Sequence, residues 1–243
     1  MRTDLVVFFG ILAVALASMP VYAVTGAHKR DHLDLAERGS FVLGGFVRSW
    51  FYWFVRPVER IAVAARLSPT AFNLLGVALG VAAGVAFAMG HLVLGGWAVL
   101  LGGIADVLDG RIARALGVAG PRGAFLDSTL DRFAEVGAFV GLAVYYQAST
   151  PALVVVVAGL GGSLLVSYAR ARGESVGVVC KVGIMQRAER LLTIGLGGVL
   201  DPAVSAAAGW EEGTLLIALL ALVAVGTVGT AAYRTVWIAR RLD

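Results

Sequence analysis

Four aspartates carry the most distinctive chemistry in the chain. Asp106 and Asp109 stand three residues apart, and Asp127 and Asp131 four apart, so each pair falls on one helical face. Both pairs adjoin apolar runs. A charged side chain at mid-span costs about 2.5–3.5 kcal/mol on insertion scales, so its presence there implies a function. The connection between the pairs is short, which predicts antiparallel neighbouring helices with all four acids at one depth. Converging carboxylates repel one another unless a cation sits between them. Hard oxygen ligands of this kind select Mg²⁺, Mn²⁺ or Ca²⁺ over zinc, with one or two ions as the natural count. Ion pairing with Arg111, Arg114 and Arg132 alone is the competing reading, but it does not require four acids to face one cleft.

The elements that position these acids must be membrane helices. Of 243 residues 59% are hydrophobic, 32 are glycine and only 15% are charged, where about 25% charged is usual for soluble domains. Mean hydropathy is +0.85. A water-facing domain cannot be covered with so little polar surface, and disorder, collagen and disulfide scaffolds are excluded by the same composition. Apolar runs at 5–24, 70–90, 91–108, 133–148, 151–168, 191–203 and 213–238 give seven candidate spans. The expected fold is an all-α polytopic membrane protein. A six-helix transmembrane core over 70–243 follows an additional N-terminal transmembrane helix at 1–24 and an amphipathic interfacial segment at 25–69. That segment interleaves Lys29, Arg30, Arg38, Arg48, Arg56, Arg60 and Arg66 with Trp50, Phe51, Tyr52, Trp53 and Phe54. Ser68-Pro69 and Ser149-Thr150-Pro151 are helix starts, with serine able to cap and proline in the first turn. Gly76, Gly80 and Gly84 line one face for close helix approach.

Lys and Arg number 20 against 16 acids, for a pI near 9.6. Topology explains this excess better than a nucleic-acid partner, which we do not expect. Eighteen of the 20 basic residues fall in alternate connections or at the C-terminal end. The three remaining connections, near Met89-Gly90-His91, Gln147 to Pro151 and Asp201 to Gly213, hold none. The positive-inside rule then places the N-terminus outside, the C-terminus in the cytosol and the aspartates at the cytosolic face of the cell membrane. The first run also resembles a signal peptide ending near Val21-Tyr22-Ala23, but cleavage there would reverse every later loop. Cys180 has no partner for a disulfide or a metal site and reads as a small hydrophobe. His28, His32 and His91 are isolated and receive no role. Asp201, Glu211 and Glu212 beside Trp210 read as ordinary acids on the outer side.

Written out, Asp106-x2-Asp109-Gly110-x2-Ala113-Arg114-x8-Gly123-x3-Asp127-x3-Asp131 reads DxxDGxxARx8GxxxDxxxD across 26 residues. Here the sequence resembles the CDP-alcohol phosphotransferase family, with every defining position matched, and the helix layout of about 66–240 agrees with it. The resemblance implies a reaction in which an alcohol hydroxyl attacks the β-phosphorus of a CDP-linked lipid and CMP departs. It also implies that Asp106, Asp109 and Asp127 hold Mg²⁺ or Mn²⁺. Asp131 is then the base that takes the acceptor proton, and a ligand where a second ion is held. CDP would lie along Asp106, Gly110, Ala113, Arg114 and Gly123, the small residues giving a nucleotide room against the helix backbone. Arg114 can reach a phosphate or hold an aspartate. Homodimers, common in the family, are expected, and the first span departs from its pattern.

Ser167 to Glu174 and Arg187 to Arg190 bring Arg170, Arg172, Arg187 and Arg190 to the cytosolic mouth. Guanidinium groups bind phosphate in bidentate fashion, so these four suit a phosphorylated acceptor. The same stretches resemble the inositol-phosphate-using branch of the family, in its bacterial ester-lipid and archaeal ether-lipid forms. Inositol 1-phosphate is the expected acceptor, with glycerol 3-phosphate and then serine as competitors. Topology alone also places arginines at these ends. A membrane prenyltransferase shares paired aspartate motifs but not Gly110, Ala113 and Arg114. A divalent-cation transporter needs acids continuing toward the outer face, and beyond Glu135 these two helices carry none.

Overall fold

The computed structural model describes residues 3–25 and 44–242, which form eight helices and, among the described residues, no strand. They are α1 (Thr3–Val24), α2 (Gly44–Ala64), α3 (Pro69–Ala88), α4 (Leu92–Ala115), α5 (Pro121–Tyr145), α6 (Thr150–Ser175), α7 (Arg187–Ala208) and α8 (Thr214–Ala239). Five of them, α3, α4, α6, α7 and α8, are long and apolar enough to cross a membrane. Leu94, Val154, Val157 and Val225 are exposed on these helices, an outer surface that lipid solvates and water does not. The chain is a multi-pass membrane protein. α5 is 25 residues long but less apolar, because Arg122, Asp127, Asp131, Arg132 and Glu135 crowd its first four turns.

The chain divides into two compact units, Met1–Leu67 and Ser68–Asp243. In the first, the Trp50 indole N–H of α2 donates to Ser18 Oγ of α1 at 2.9 Å. Tyr22 is buried against Phe46 and Trp53, each with ring centroids 5.6 Å away. α2 is strongly amphipathic, with Arg48, Arg56 and Arg60 on one side and Trp50, Phe54, Val58 and Ile61 on the other. Residues 26–43, the part of the expected interfacial segment that holds Lys29, Arg30 and Arg38, lie outside the described residues.

In the second unit the helices pack in a closed cycle: α5 on α3, α3 on α4, α4 on α7, α7 on α8, α8 on α6 and α6 back on α5. The two aspartate helices are neighbours, as their short connection predicts, and bring their acids together, but they do not pack along their length. α4 and α5 meet only sparsely, and each packs along α3. Small residues explain why. Gly80 and Gly84 of α3 lie so close to Ala134 and Gly137 of α5, and Gly141 to Gly84, that an added Cβ would overlap backbone. Gly76, the third member of the stripe, has open space around it. Gly96 of α4 meets Gly195 and Gly198 of α7 in the same way. Phe87, Leu92, Phe139, Leu142, Leu216 and Leu220 fill the core between these contacts.

Ser149 caps α6, accepting from Ala152 N–H at 3.4 Å, whereas the Ser68 side chain makes no cap bond and Pro69 alone marks the start of α3. α6 outruns its apolar stretch to Ser175, so Arg170 and Arg172 stand on its last turns. α7 begins at Arg187, which puts Arg187 and Arg190 in its first turn.

Asp201 is not an ordinary surface acid. It is fully buried and accepts from the N–H groups of Gly213 at 2.6 Å and Leu216 at 2.8 Å. A carboxylate borrowed from α7 thus satisfies the free donors at the start of α8. Tyr146 Oη donates to the Gly213 carbonyl at 2.6 Å and Tyr145 Oη to that of Glu212 at 3.1 Å, pinning the same turn.

The helix contacts set a measurable cost. Gly141→Val should lower stability by about 1–3 kcal/mol through backbone overlap, whereas Gly161→Ala, with nothing within 4 Å of its Cβ position, should be neutral. Thermal unfolding in detergent, followed by thiol labelling of the buried Cys180, checks both.

Candidate active site

The ends of α4 and α5 bring Asp106, Asp109 and Asp127 together. Each offers one carboxylate oxygen, and these atoms lie within 4.8 Å of one another. Asp131, one turn further along α5, stands at the edge of this trio, its carboxyl within hydrogen-bonding reach of that of Asp106. Arg187 links it to the trio: Nη2 is 2.8 Å from Asp131 Oδ1, Nη1 donates to the Asp131 carbonyl at 3.1 Å, and Nε is 3.5 Å from Asp106 Oδ1. Arg132 adds a longer contact, 3.6 Å, to Asp131. The donor set fits a hard divalent cation, since three converging carboxylates supply oxygen ligands and a charge that a dication offsets.

Gly110 and Ala113 are half-buried on α4 beyond Asp109, and Arg114 is exposed near the helix end. Gly123 is exposed in the first turn of α5, with nothing within 4 Å of its Cβ position.

The four arginines of the mouth do not share one environment. Arg187 touches the aspartates. Arg190 is buried, its Nε 2.8 Å from Glu135 Oε1 and its Nη1 donating to the Met185 carbonyl at 3.4 Å. Arg170 pairs with Glu174 at 2.9 Å, both half-exposed, and Arg172 donates to Ser175 Oγ at 3.3 Å.

Three polar residues around the site escape a reading by motif. Glu135 is buried one turn below Asp131, on the face that Asp127 and Asp131 already define. Its i+4 spacing from Asp131 is a signal the sequence does contain. It faces Arg132 at 3.8 Å as well as Arg190, and Arg132 also donates to Ser167 Oγ. Arg234, in the sequence only one of the terminal basic residues, is buried and donates to the carbonyls of Val182 at 2.7 Å and Val166 at 2.8 Å. It lies within electrostatic range of Arg170 and Arg190. Asn73 of α3 donates through Nδ2 to Asp109 Oδ2 and reaches Asp127 Oδ1 at 3.4 Å. Nothing in the spacing of α3 distinguishes this Asn from a polar residue near a helix end.

Residues 66–228 match the model of the CDP-alcohol phosphatidyltransferase family, and the chain belongs to that family, as a CDP-alcohol phosphotransferase. Among its relatives is the phosphatidylinositol phosphate synthase of Streptomyces avermitilis, 34% identical over 214 residues, which are 83% of this chain and 84% of the relative. The archaetidylinositol phosphate synthase of Methanothermobacter thermautotrophicus is 37% identical over 147 residues, 60% of this chain and 72% of the relative. Among solved structures, Mycobacterium tuberculosis phosphatidylinositol phosphate synthase with CDP-DAG bound superposes with a TM-score of 0.64 at 30% identity, covering 75% of this chain and 92% of that one. The same enzyme in complex with manganese and citrate gives 0.64 at 31% identity, covering 74% and 88%.

The contrast between the arginines is testable. Arg190→Met leaves the buried Glu135 carboxylate only the longer contact to Arg132 and should cost about 3 kcal/mol, whereas Arg170→Met, which removes a half-exposed pair, should cost under about 1 kcal/mol. Thermal unfolding of the two purified variants separates these outcomes.

Proposed function

We propose that the protein transfers a phosphatidyl-type group from CDP-diacylglycerol, or its ether analogue, to inositol 1-phosphate, giving phosphatidylinositol phosphate and CMP. The observation that carries this reading is the place of Asp131, a carboxylate at the edge of the aspartate trio, in reach of Asp106 and held by Arg187. That division suits two tasks. Asp106, Asp109 and Asp127 hold Mg²⁺ or Mn²⁺, one ion or two, with Asp131 a ligand where a second is held. Bound there, the metal supplies positive charge that offsets the diphosphate and the charge developing on the departing phosphate.

The residues of the chain do the rest. Asp131 accepts the proton of the acceptor hydroxyl, whose oxygen forms the new bond to the β-phosphorus of the CDP-lipid. The bond from that phosphorus to the bridging oxygen breaks, and the oxygen leaves on CMP. Arg187 holds the Asp131 carboxylate in position. Gly110, Ala113 and Gly123 leave space for the cytidine nucleotide along α4 and α5, and Arg114 reaches its phosphates. Arg170, Arg172, Arg187 and Arg190 form the positive surroundings of a phosphorylated acceptor, which the names of the two relatives also favour.

In this reading α3 to α8 form the six-helix membrane domain over 70–243. α1 is an additional span within 1–24, and α2 lies along the interface. The basic connections face the cytosol, as do the aspartates and the C-terminus, and the N-terminus is outside. Two copies pair as a homodimer.

The test is CMP release by the purified protein from CDP-diacylglycerol, or its ether analogue, with Mg²⁺ or Mn²⁺ and separate acceptors. Release with inositol 1-phosphate, reduced about 10²–10⁴-fold in Asp131→Asn, is the expected result. Release with only glycerol 3-phosphate or serine overturns the acceptor. Release unaffected by Asp131→Asn overturns the assigned base.

A further inference from the structure

Asn73 stands in the second turn of α3, the helix against which both aspartate helices pack. Apart from Thr70 it is the one polar side chain in that helix. Its amide meets one acid from each neighbour, Asp109 of α4 and Asp127 of α5. Ionised carboxylates only accept hydrogen bonds, so the nitrogen end of the amide must face them.

We infer that Asn73 is a positioning residue of the aspartate site. It fixes one oxygen of Asp109 and one of Asp127, so that the two carboxylates keep a common orientation toward a divalent cation. The inference rests on the reading of the trio as a metal site. α4 and α5 touch each other sparsely, so α3 supplies the bridge between their acids. A hydrogen bond from a neighbour that is not itself a ligand commonly orients metal-binding carboxylates. Packing does not require this residue. The close approach of α3 to α5 is made at Gly80 and Gly84, two and three turns further along, where no contact involves Asn73.

The experiment measures Mn²⁺ alone. Binding to the purified full-length protein, without lipid or acceptor, is followed by loss of the electron paramagnetic resonance signal of free Mn²⁺. Asn73→Leu, similar in volume but without a donor, should weaken Mn²⁺ binding tenfold or more, and Asn73→Ser, which keeps one donor, should fall between it and the unaltered protein. In turnover assays the Mn²⁺ concentration giving half-maximal rate should rise by the same factor. kcat should recover at saturating Mn²⁺, and KM for inositol 1-phosphate should not move. A merely structural role predicts instead a lower kcat at every Mn²⁺ concentration, and that result overturns the inference. So does unaltered Mn²⁺ affinity in Asn73→Leu, which leaves the metal reading intact. Failure of the unaltered protein to bind Mn²⁺ overturns the metal reading and this inference with it.

Discussion

Three carboxylate oxygens held within 4.8 Å of one another at the ends of membrane helices are the constraint on which the structure turns. At an effective dielectric of 20, two unit charges at that separation repel by roughly 3 kcal/mol. Such a cluster persists only where the fold holds it and where positive charge is close. Both conditions are met within a few residues. α3 presses against both aspartate helices, and Arg187 spans from Asp106 to Asp131.

The positive charge extends away from the aspartates in a graded way. Arg187 touches them, Arg132 lies between Asp131 and Glu135, and Arg190 is locked on Glu135. Arg234 follows, tied to two backbone carbonyls, with Arg170 and Glu174 at the exposed end of α6. Alternating signs let this many charges lie near one another in a membrane domain. Glu135 is the link in the arrangement: it is the acid that Arg190 pairs with and the second acid that Arg132 faces, after Asp131.

The helical, membrane-embedded architecture was legible in composition and hydropathy, and the aspartate trio in spacing alone, since offsets of three and four leave little freedom about which face an acid takes. α3 as the spine was half legible. The glycine stripe announced close packing, but only contact with Ala134, Gly137 and Gly141 shows that its partner is α5. Asp201 was misread because a lone acid near an apolar run gives no sign of which helix end it will satisfy. Asn73 and Arg234 act across helix packing, and a linear pattern carries no information about contacts between residues 36 to 68 positions apart. The division of the four arginines into one at the acids, one locked on Glu135 and two at the exposed end of α6 has the same origin.

The central claim, that the aspartates hold a divalent cation, is tested most directly by X-ray data from crystals soaked in Mn²⁺ and measured at the manganese edge. An anomalous peak among the carboxylates of Asp106, Asp109 and Asp127, lost in crystals of Asp109→Asn, is the result the account predicts. A soaked crystal with no peak there, or with manganese only at unrelated surface acids, would contradict it.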